Sequence, residues 1–141
     1  MILMVYSCKE TEPETEVPLI LEGSWQVVAY EHHETGLVLT HQYSDSWMDS
    51  LETIMYFNED LSPHIMSGDN TTNFIQVEYD YISEDEIQFG GLLSTQINQP
   101  AWGNYFNLAI AGDPWKIDLS DTGLRMYYNN MTNSVLFEKV E

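Results

Sequence analysis

Histidines and carboxylates are the side chains of this sequence best suited to acid–base or metal chemistry. His32 and His33 are adjacent, so on a strand they point to opposite faces and cannot bind one metal together. The most favourable metal arrangement would gather His33, His41 and Glu31, but solvent-exposed loop histidines explain the same residues more simply. The sequence therefore predicts no metal site and no cofactor.

The 23 acidic residues are so numerous that some carboxylates must lie close together by chance. Asp118, Asp121 and Gly123 have the spacing of part of a calcium loop, but the other spaced ligands and the final glutamate are missing. A solvated hairpin turn accounts for them better. The sequence also lacks a Gly-Lys-Ser/Thr phosphate loop, a Gly-x-Ser-x-Gly elbow and a His-Glu-x-x-His helix. We therefore expect a protein that is not an enzyme, and an enzyme that uses clustered carboxylates is the weakest alternative.

The charge balance limits the partners that this protein can bind. Four Lys and Arg residues oppose the 23 Asp and Glu residues, which gives a net charge of −19. Such a surface repels the phosphates of nucleic acids and the headgroups of anionic lipids. The sequence therefore predicts no nucleic-acid binding, and it predicts membrane association only through a covalent anchor. The simplest role of the acidity is to keep a monomer soluble.

Cys8 is the one cysteine of the sequence, so neither an intrachain disulfide nor a cysteine-based zinc site can form. Residues 1–7 are mostly apolar and end in Ser7, whereas residues 9–18 carry four Glu and two Pro. This acidic segment has too little apolar mass to form a core, so residues 1–18 are expected to precede the fold as an apolar remnant and a flexible tether.

The arrangement around Cys8 resembles the end of a bacterial lipoprotein signal, in which the chain is cut before the cysteine and the cysteine is acylated. The resemblance implies a lipid anchor on Cys8 and a place in the cell envelope, on the periplasmic face or the outer surface of the outer membrane. Seven residues are too few for a complete signal, so we expect the printed start to lie inside a longer one. An ordinary hydrophobic N-terminus with a chance cysteine is the alternative.

Residues 19–141 are expected to form one domain around one core. The clearest pattern is in residues 74–81, where Gln76, Glu78 and Asp80 alternate with apolar residues, as in a half-solvated antiparallel strand. Residues 87–89 resume the alternation after a charged turn, which predicts a hairpin. Further strands are predicted at residues 25–30, 36–43, 52–57, 115–119, 124–128 and 135–140.

Residues 102–111 depart from the strand pattern. Their apolar residues recur at roughly helical spacing, and Asp113 and Pro114 end the run. The sequence therefore predicts a mainly β fold: a small antiparallel β-barrel of about eight strands, with one short helix near residues 103–111.

The order of these elements is similar to that of the META-domain family, the HslJ-like envelope domains. The matching segments are Leu21-Glu22-Gly23-Ser24-Trp25, Met66-Ser67-Gly68-Asp69-Asn70 with Asn73, Phe74 and Tyr79, Ile87-Gln88-Phe89-Gly90, Ser94-Thr95, residues 102–111, Trp115-Lys116-Ile117, Leu124-Arg125-Met126-Tyr127 and Leu136-Phe137. Two cysteines that are common in the family are absent here. The resemblance implies a non-catalytic interaction module of the envelope, associated with stress or secretion.

The alternative resemblance is to lipocalin-like domains, which also open with Gly-x-Trp, here ending in Trp25. In those domains an arginine stacks over the tryptophan, which implies a cation–π pair of Trp25 and Arg125 at the closed end of the barrel. This resemblance implies a carrier that holds a small apolar ligand inside the barrel. The candidates for contact with a ligand or a protein partner are Trp47, Trp102 and Tyr105.

Overall fold

The computed structural model describes residues 21–41, 51–95, 97–111, 114–121 and 123–140. Within these ranges the chain forms nine strands and one helix, numbered in chain order. The strands are β1 (Gly23–His32), β2 (Leu37–Thr40), β3 (Thr53–Asn58), β4 (His64–Asn70), β5 (Asn73–Ser83), β6 (Glu86–Ser94), β7 (Trp115–Leu119), β8 (Gly123–Tyr128) and β9 (Asn133–Val140), and the helix α1 (Ala101–Ile110) lies between β6 and β7.

The strands form a closed antiparallel barrel. Each strand from β3 to β8 pairs with the next, and β9 pairs with β1 over most of its length. β1 completes the circle because its residues 23–26 also pair with β3. In the described residues the barrel has eight strands. The short β2 is the ninth strand of the sheet, and it pairs with residues 29–32 of β1 on the same edge as β3. The predicted mainly β fold, a barrel of about eight strands with one short helix, is confirmed.

Alternation along the strands directs one set of side chains into the barrel. In β5, Ile75, Val77 and Tyr79 are buried, whereas Glu78 between them is exposed. Full burial of a large apolar side chain contributes about 1.5–3 kcal/mol, so this inward set is the main source of stability. The predicted hairpin of β5 and β6 is formed, with Tyr79 opposite Phe89.

The sequence does not predict β4 as a strand, because its second half is polar and has no apolar alternation. β4 nevertheless pairs along its length with β3 and with β5. Gly68 makes the pairing with β3 possible, since a Cβ atom at this position would collide with the carbonyl oxygen of Ile54. Close approach of two backbones therefore explains a glycine within this strand.

Most boundaries differ from the predicted ones by one or two residues, and three elements show the differences that matter for the site. β6 continues beyond residues 87–89 to Ser94. β2 ends at Thr40, and residues 42 and 43 of the predicted strand lie outside the described residues. α1 begins at Ala101, directly after Pro100, whose φ of −66° suits the entry to a helix.

Candidate functional site

The helix α1 closes one end of the barrel. Its apolar side is buried over the interior through Trp102, Phe106 and Ile110. The ring of Phe106 lies 6.2 Å from that of Phe137 in β9 and 6.3 Å from that of Trp115 in β7, both nearly perpendicular. Edge-to-face contacts of this kind are favourable, so the helix is packed firmly on the barrel.

Asn70, buried at the end of β4, ties α1 to the sheet through hydrogen bonds. Its Nδ2 donates to the carbonyl oxygen of Gly103 and to Oδ1 of Asn107, both at 2.9 Å. Its Oδ1 accepts a bond from Thr53 Oγ1 at 2.8 Å, which fixes the orientation of the amide. A Cβ atom at Gly103 would lie 2.5 Å from Thr71 Oγ1, so the helix also touches the turn between β4 and β5.

The segment that leads into α1 is held by Asn73. Its Nδ2 donates to the carbonyl oxygen of Ile97 at 2.9 Å, and its Oδ1 accepts from Ile97 N at 2.8 Å and from Thr95 Oγ1 at 3.0 Å. Gln99 then donates from Nε2 to Asn104 Oδ1 at 3.0 Å. These bonds give the surface around α1 a fixed shape.

The first cleft beside α1, which we term the aromatic cleft, has a volume of about 290 Å³. It is lined by Tyr30, Glu31, His32, Leu37, Leu39, Tyr105, Leu108, Tyr128, Asn129 and Asn133. Leu37, Tyr105 and Leu108 are 54%, 40% and 71% exposed. Exposed apolar side chains grouped around a concave surface are typical of a binding site.

Tyr30 fixes the floor of the aromatic cleft. Its hydroxyl donates to the carbonyl oxygen of Trp102 at 2.9 Å, and its ring lies 4.7 Å from that of Trp102 and 5.4 Å from that of Tyr105. Burial, and secondly the neighbouring phenol groups of Tyr128 and Tyr105, raise the pKa of Tyr30. Tyr30 is therefore a neutral hydrogen-bond donor at physiological pH.

The second cleft, which we term the amide cleft, lies between α1 and β6 and has a volume of about 640 Å³. It is lined by Asn73, Leu92, Ser94, Thr95, Ile97, Asn98, Gln99, Asn104 and Asn107. None of these residues is charged. The amide cleft is therefore a neutral, hydrogen-bonding surface on a strongly acidic chain.

The interior of the barrel is filled by side chains. Its largest members are fully buried, and their rings form a continuous series of contacts: Tyr79, Phe57, Phe137, Phe106 and Trp115. The successive ring centroids are 5.5, 6.4, 6.2 and 6.3 Å apart. The rings occupy the space in which a lipocalin-like carrier would hold its ligand, so the surface clefts are the better candidate sites.

The expected pair of Trp25 and Arg125 is not formed. Arg125 lies between the inward-facing Leu124 and Met126, so its side chain is on the outer surface of the barrel. There its Nε donates to Glu31 Oε1 at 2.8 Å. Trp25 points inward and is buried, so the two side chains lie on opposite faces of the sheet.

Trp25 has other partners at the end of the barrel away from α1. Its Nε1 donates to the carbonyl oxygen of Leu21 at 2.9 Å. Lys139, which is opposite Trp25 in the pairing of β1 with β9, places Nζ 5.6 Å from the centre of the Trp25 ring. A cation–π contact therefore exists at Trp25, but lysine makes it.

Glu31 is the centre of a polar network on the outer surface. It accepts bonds from Arg125 and, at 3.0 Å, from Ser134 Oγ, which is also 2.8 Å from Nε2 of His33. Partial burial raises the pKa of Glu31, but the hydrogen bonds from Arg125 and Ser134 outweigh it, so this pKa lies below its usual value. The network is an ion pair with supporting hydrogen bonds.

Of the three residues of the most favourable metal hypothesis, Glu31 and His33 meet at Ser134, but His41 lies elsewhere. His33 belongs to the network just described, whereas the ring of His41 stacks on Trp102 at 4.8 Å. Across the described part of the chain, no group of three His, Cys, Asp or Glu residues is arranged to hold a metal ion. Of the residues with calcium-loop spacing, Asp118 belongs to β7, and beyond the end of this strand Ser120 N donates to the Gly123 carbonyl oxygen at 2.9 Å.

The predicted contact residues have different positions. Tyr105 lines the aromatic cleft, and Trp102 lies behind it and is only 7% exposed, so it supports the cleft. Trp47 and the predicted lipidation site Cys8 lie outside the described residues. Where the chain is described, it contains no helix with the length and apolar character needed to cross a membrane.

One buried carboxylate, at the end of the barrel opposite α1, is not predicted from the sequence. Glu59 is only 5% exposed, and its Oε1 accepts from Leu21 N at 2.9 Å and from the Tyr81 hydroxyl at 2.6 Å. Burial, and secondly the charge of Glu59, raise the pKa of Tyr79. Its partners come from distant parts of the sequence, so no local signal could have indicated this burial. The two clefts beside α1 do not include Glu59, and we assign it a structural role.

The described residues thus form a closed antiparallel β-barrel that is capped by a helix and carries two clefts beside that helix. No protein-family model matches the chain, and no curated protein matches it. The NMR structure of a protein from Burkholderia xenovorans is similar, with a TM-score of 0.65 and 15% identity over 88% of this chain and 86% of that one. A crystal structure of a DUF4847 family protein from Bacteroides vulgatus has a TM-score of 0.55 and 12% identity, over 87% and 97% of the two chains. At these identities the likeness concerns the fold alone.

Proposed function

We propose that this chain is a non-catalytic binding module of the bacterial cell envelope, anchored through Cys8, whose aromatic cleft binds an apolar group of a partner protein. The observation that supports the proposal is the contrast between a filled barrel interior and an exposed apolar cleft beside α1. Leu37 and Leu108 expose apolar surface to water, and neither side chain belongs to the buried core.

The aromatic cleft suits an aromatic or branched side chain. Tyr105 is exposed at the cleft, the buried rings of Tyr30 and Tyr128 lie beneath it, and Leu37 and Leu108 border them. Its volume of about 290 Å³ lies just below the usual range for small-molecule sites, about 300–1,000 Å³. A single anchoring side chain therefore fits this cleft better than a drug-sized molecule.

The cleft is also rigid, which favours binding. The hydroxyl of Tyr30 is fixed on Trp102, and α1 is fixed by Asn70, so few side chains need to be ordered when a partner binds. Because the net charge is −19, we expect basic residues around the anchoring side chain of the partner and a faster association at low salt.

Titration of the ¹⁵N-labelled full chain with indole, which represents a tryptophan side chain, tests this site. We expect saturable shifts of the Tyr105 and Leu108 amide signals. Leu108→Asp should weaken indole binding about tenfold, because a charge enters an apolar contact. Leu93→Asp is the matched control, since Leu93 is 68% exposed but lies outside the cleft. Shifts that do not saturate, or equal weakening by both substitutions, would contradict the proposal.

A carrier of a small apolar ligand is the second candidate, and the apolar lining of the same cleft favours it. Decanol is a suitable probe because it has a long apolar chain and no charge. Binding of decanol in the aromatic cleft that is much tighter than that of indole would favour the carrier. Weaker or equal binding would favour the interaction module.

The envelope location depends on residues 1–18, and the META resemblance adds a role in envelope stress or secretion. Labelling with radioactive palmitate in a bacterial host tests the anchor directly. Because the signal is expected to begin upstream of residue 1, both chains are expressed with the natural upstream sequence, and we expect the parent chain to be labelled and Cys8→Ala to remain unlabelled. Equal labelling of the two chains would contradict lipidation at Cys8 and would leave the proposal for the aromatic cleft intact.

A further inference from the structure

The strand β6 has a long edge without a pairing partner in the described residues. Only Glu86 and Ile87 pair with β7, although β6 continues to Ser94. Residues 88–94 are paired on one side alone, with β5. An unpaired strand edge can bind another extended chain through backbone hydrogen bonds.

The hydrogen bonds to β5 show which groups face this edge. Thr95 N donates to the carbonyl oxygen of Phe74 at 3.0 Å, and opposed residues of an antiparallel pair alternate between bonded and non-bonded pairs. Thr95 and Phe74 therefore form a bonded pair, and so do Leu93 and Gln76, which lie two residues further along the two strands. Leu92 and Ser94 belong to the non-bonded pairs on either side of Leu93, so their N–H and C=O groups point away from β5. Both residues line the amide cleft.

The opposite wall of the amide cleft, on α1, carries two oriented amide groups. Oδ1 of Asn107 accepts a bond from Asn70, and Oδ1 of Asn104 accepts one from Gln99. The NH₂ group of each amide is therefore turned away from these partners. A strand between β6 and α1 could pair with Leu92 and Ser94 on one side and receive bonds from Asn104 and Asn107 on the other.

We propose that the amide cleft binds an extended, uncharged peptide segment of a partner protein, which adds to the edge of β6. Residues 87–112 contain no Asp, Glu, Lys or Arg, so an uncharged segment meets no unpaired charge there. Glu78 and Asp80 are exposed on the outer face of the adjacent strand β5, so basic residues should flank the bound segment. A Cβ atom at Gly91 would meet nothing within 4 Å, which leaves room for an incoming backbone.

Two other occupants fit the observations less well. A neutral saccharide would normally stack on an aromatic ring, and no residue that lines the amide cleft is aromatic. A second copy of the chain would bring two charges of −19 together. A partner peptide with basic ends has neither disadvantage, and it uses a surface separate from the aromatic cleft.

The test uses the ¹⁵N-labelled full chain and a ten-residue probe peptide of alternating threonine and valine with two lysines at each end. We expect saturable shifts of the Leu92 and Ser94 amide signals and slower hydrogen exchange at both amides. A peptide with alternate backbone nitrogens methylated should bind at least about tenfold more weakly, because it cannot donate to β6. Ser94→Pro should have the same effect since it removes an outward N–H group, whereas Ser94→Ala, which keeps it, should bind like the parent chain.

Several results would overturn this proposal. They are the absence of saturable shifts up to millimolar peptide, equal binding of the methylated peptide, equal binding of a peptide with glutamates in place of the lysines, and the same shifts on concentrating the chain alone. The methylated peptide leaves the protein unchanged, so its result holds even where Ser94→Pro fails to fold. Indole shifts at Tyr105 and Leu108 report separately on the aromatic cleft.

Discussion

Truncation of Asn70 should loosen α1 from the barrel. Asn70→Ala removes the bonds to Gly103 and Asn107 and leaves the Thr53 hydroxyl, which is fully buried, without its acceptor. An unsatisfied buried hydroxyl costs about 1–3 kcal/mol, and each of the other two bonds contributes about 0.5–1.5 kcal/mol. We therefore expect the free energy of unfolding to fall by about 2–6 kcal/mol, a large part of the total for a domain of this size.

Urea unfolding followed by tryptophan fluorescence measures this loss, and hydrogen exchange in the native state locates it. The amides of α1 should exchange much faster in Asn70→Ala, whereas those of β8 and β9 should change only with the global stability. Asn104→Ala is the matched control, because Asn104 is exposed and should cost less than about 0.5 kcal/mol. A loss below about 0.5 kcal/mol in Asn70→Ala, or unchanged exchange in α1, would show that Asn70 does not hold the helix on the barrel.

Two further substitutions test the packing of β4 and the ion pair on the outer surface. Gly68→Ala should destabilise the fold by several kcal/mol, as measured by urea unfolding, because its Cβ would meet the Ile54 carbonyl oxygen, whereas Gly91→Ala, with open space, should be neutral or slightly stabilising; equal effects would contradict the close approach. Glu31→Gln should cost less than about 1 kcal/mol at pH 7, since Arg125 is partly exposed to solvent. Pairing with Arg125 lowers the pKa of Glu31 in the folded state. The stabilisation by the ionised Glu31 is therefore fully present above the pKa that Glu31 has in the unfolded chain, and it is lost as the pH falls through the folded-state pKa. Urea midpoints of the parent chain and Glu31→Gln should therefore converge in acid, and a difference that persists there would disprove the ion-pair account.

The barrel could be predicted from the sequence because its strongest strands alternate in a simple way. In β5, the polar residues Gln76, Glu78 and Asp80 alternate with apolar ones, and this pattern is typical of a strand with one face in solvent. β4 could not be predicted, because its pairing depends on the close approach of Gly68 to Ile54, which are distant in sequence. Alternation of polar and apolar residues indicates a strand, but it does not indicate which backbones approach each other closely.

The contacts of the site residues were harder to predict, because they depend on strand register and on which distant segments of the chain meet. The expected stacking of Arg125 on Trp25 conflicts with the local pattern itself: Leu124 and Met126 point inward, so Arg125 must point outward. The burial of Glu59 has no local signal, because its partners come from other strands and loops. Tyr105 can be selected from the sequence because it is an aromatic residue on the predicted helix, and it lines the aromatic cleft, whereas its contact with a partner stays a prediction.

We expect this barrel to bind an apolar group on its surface, beside α1, and not in its interior. Intermolecular nuclear Overhauser effects between indole and methyl-labelled protein test it most directly. Such effects are expected at the methyl groups of Leu37 and Leu108, which border the aromatic cleft. Effects at Met66 and Met126, which are buried within the barrel, would contradict it.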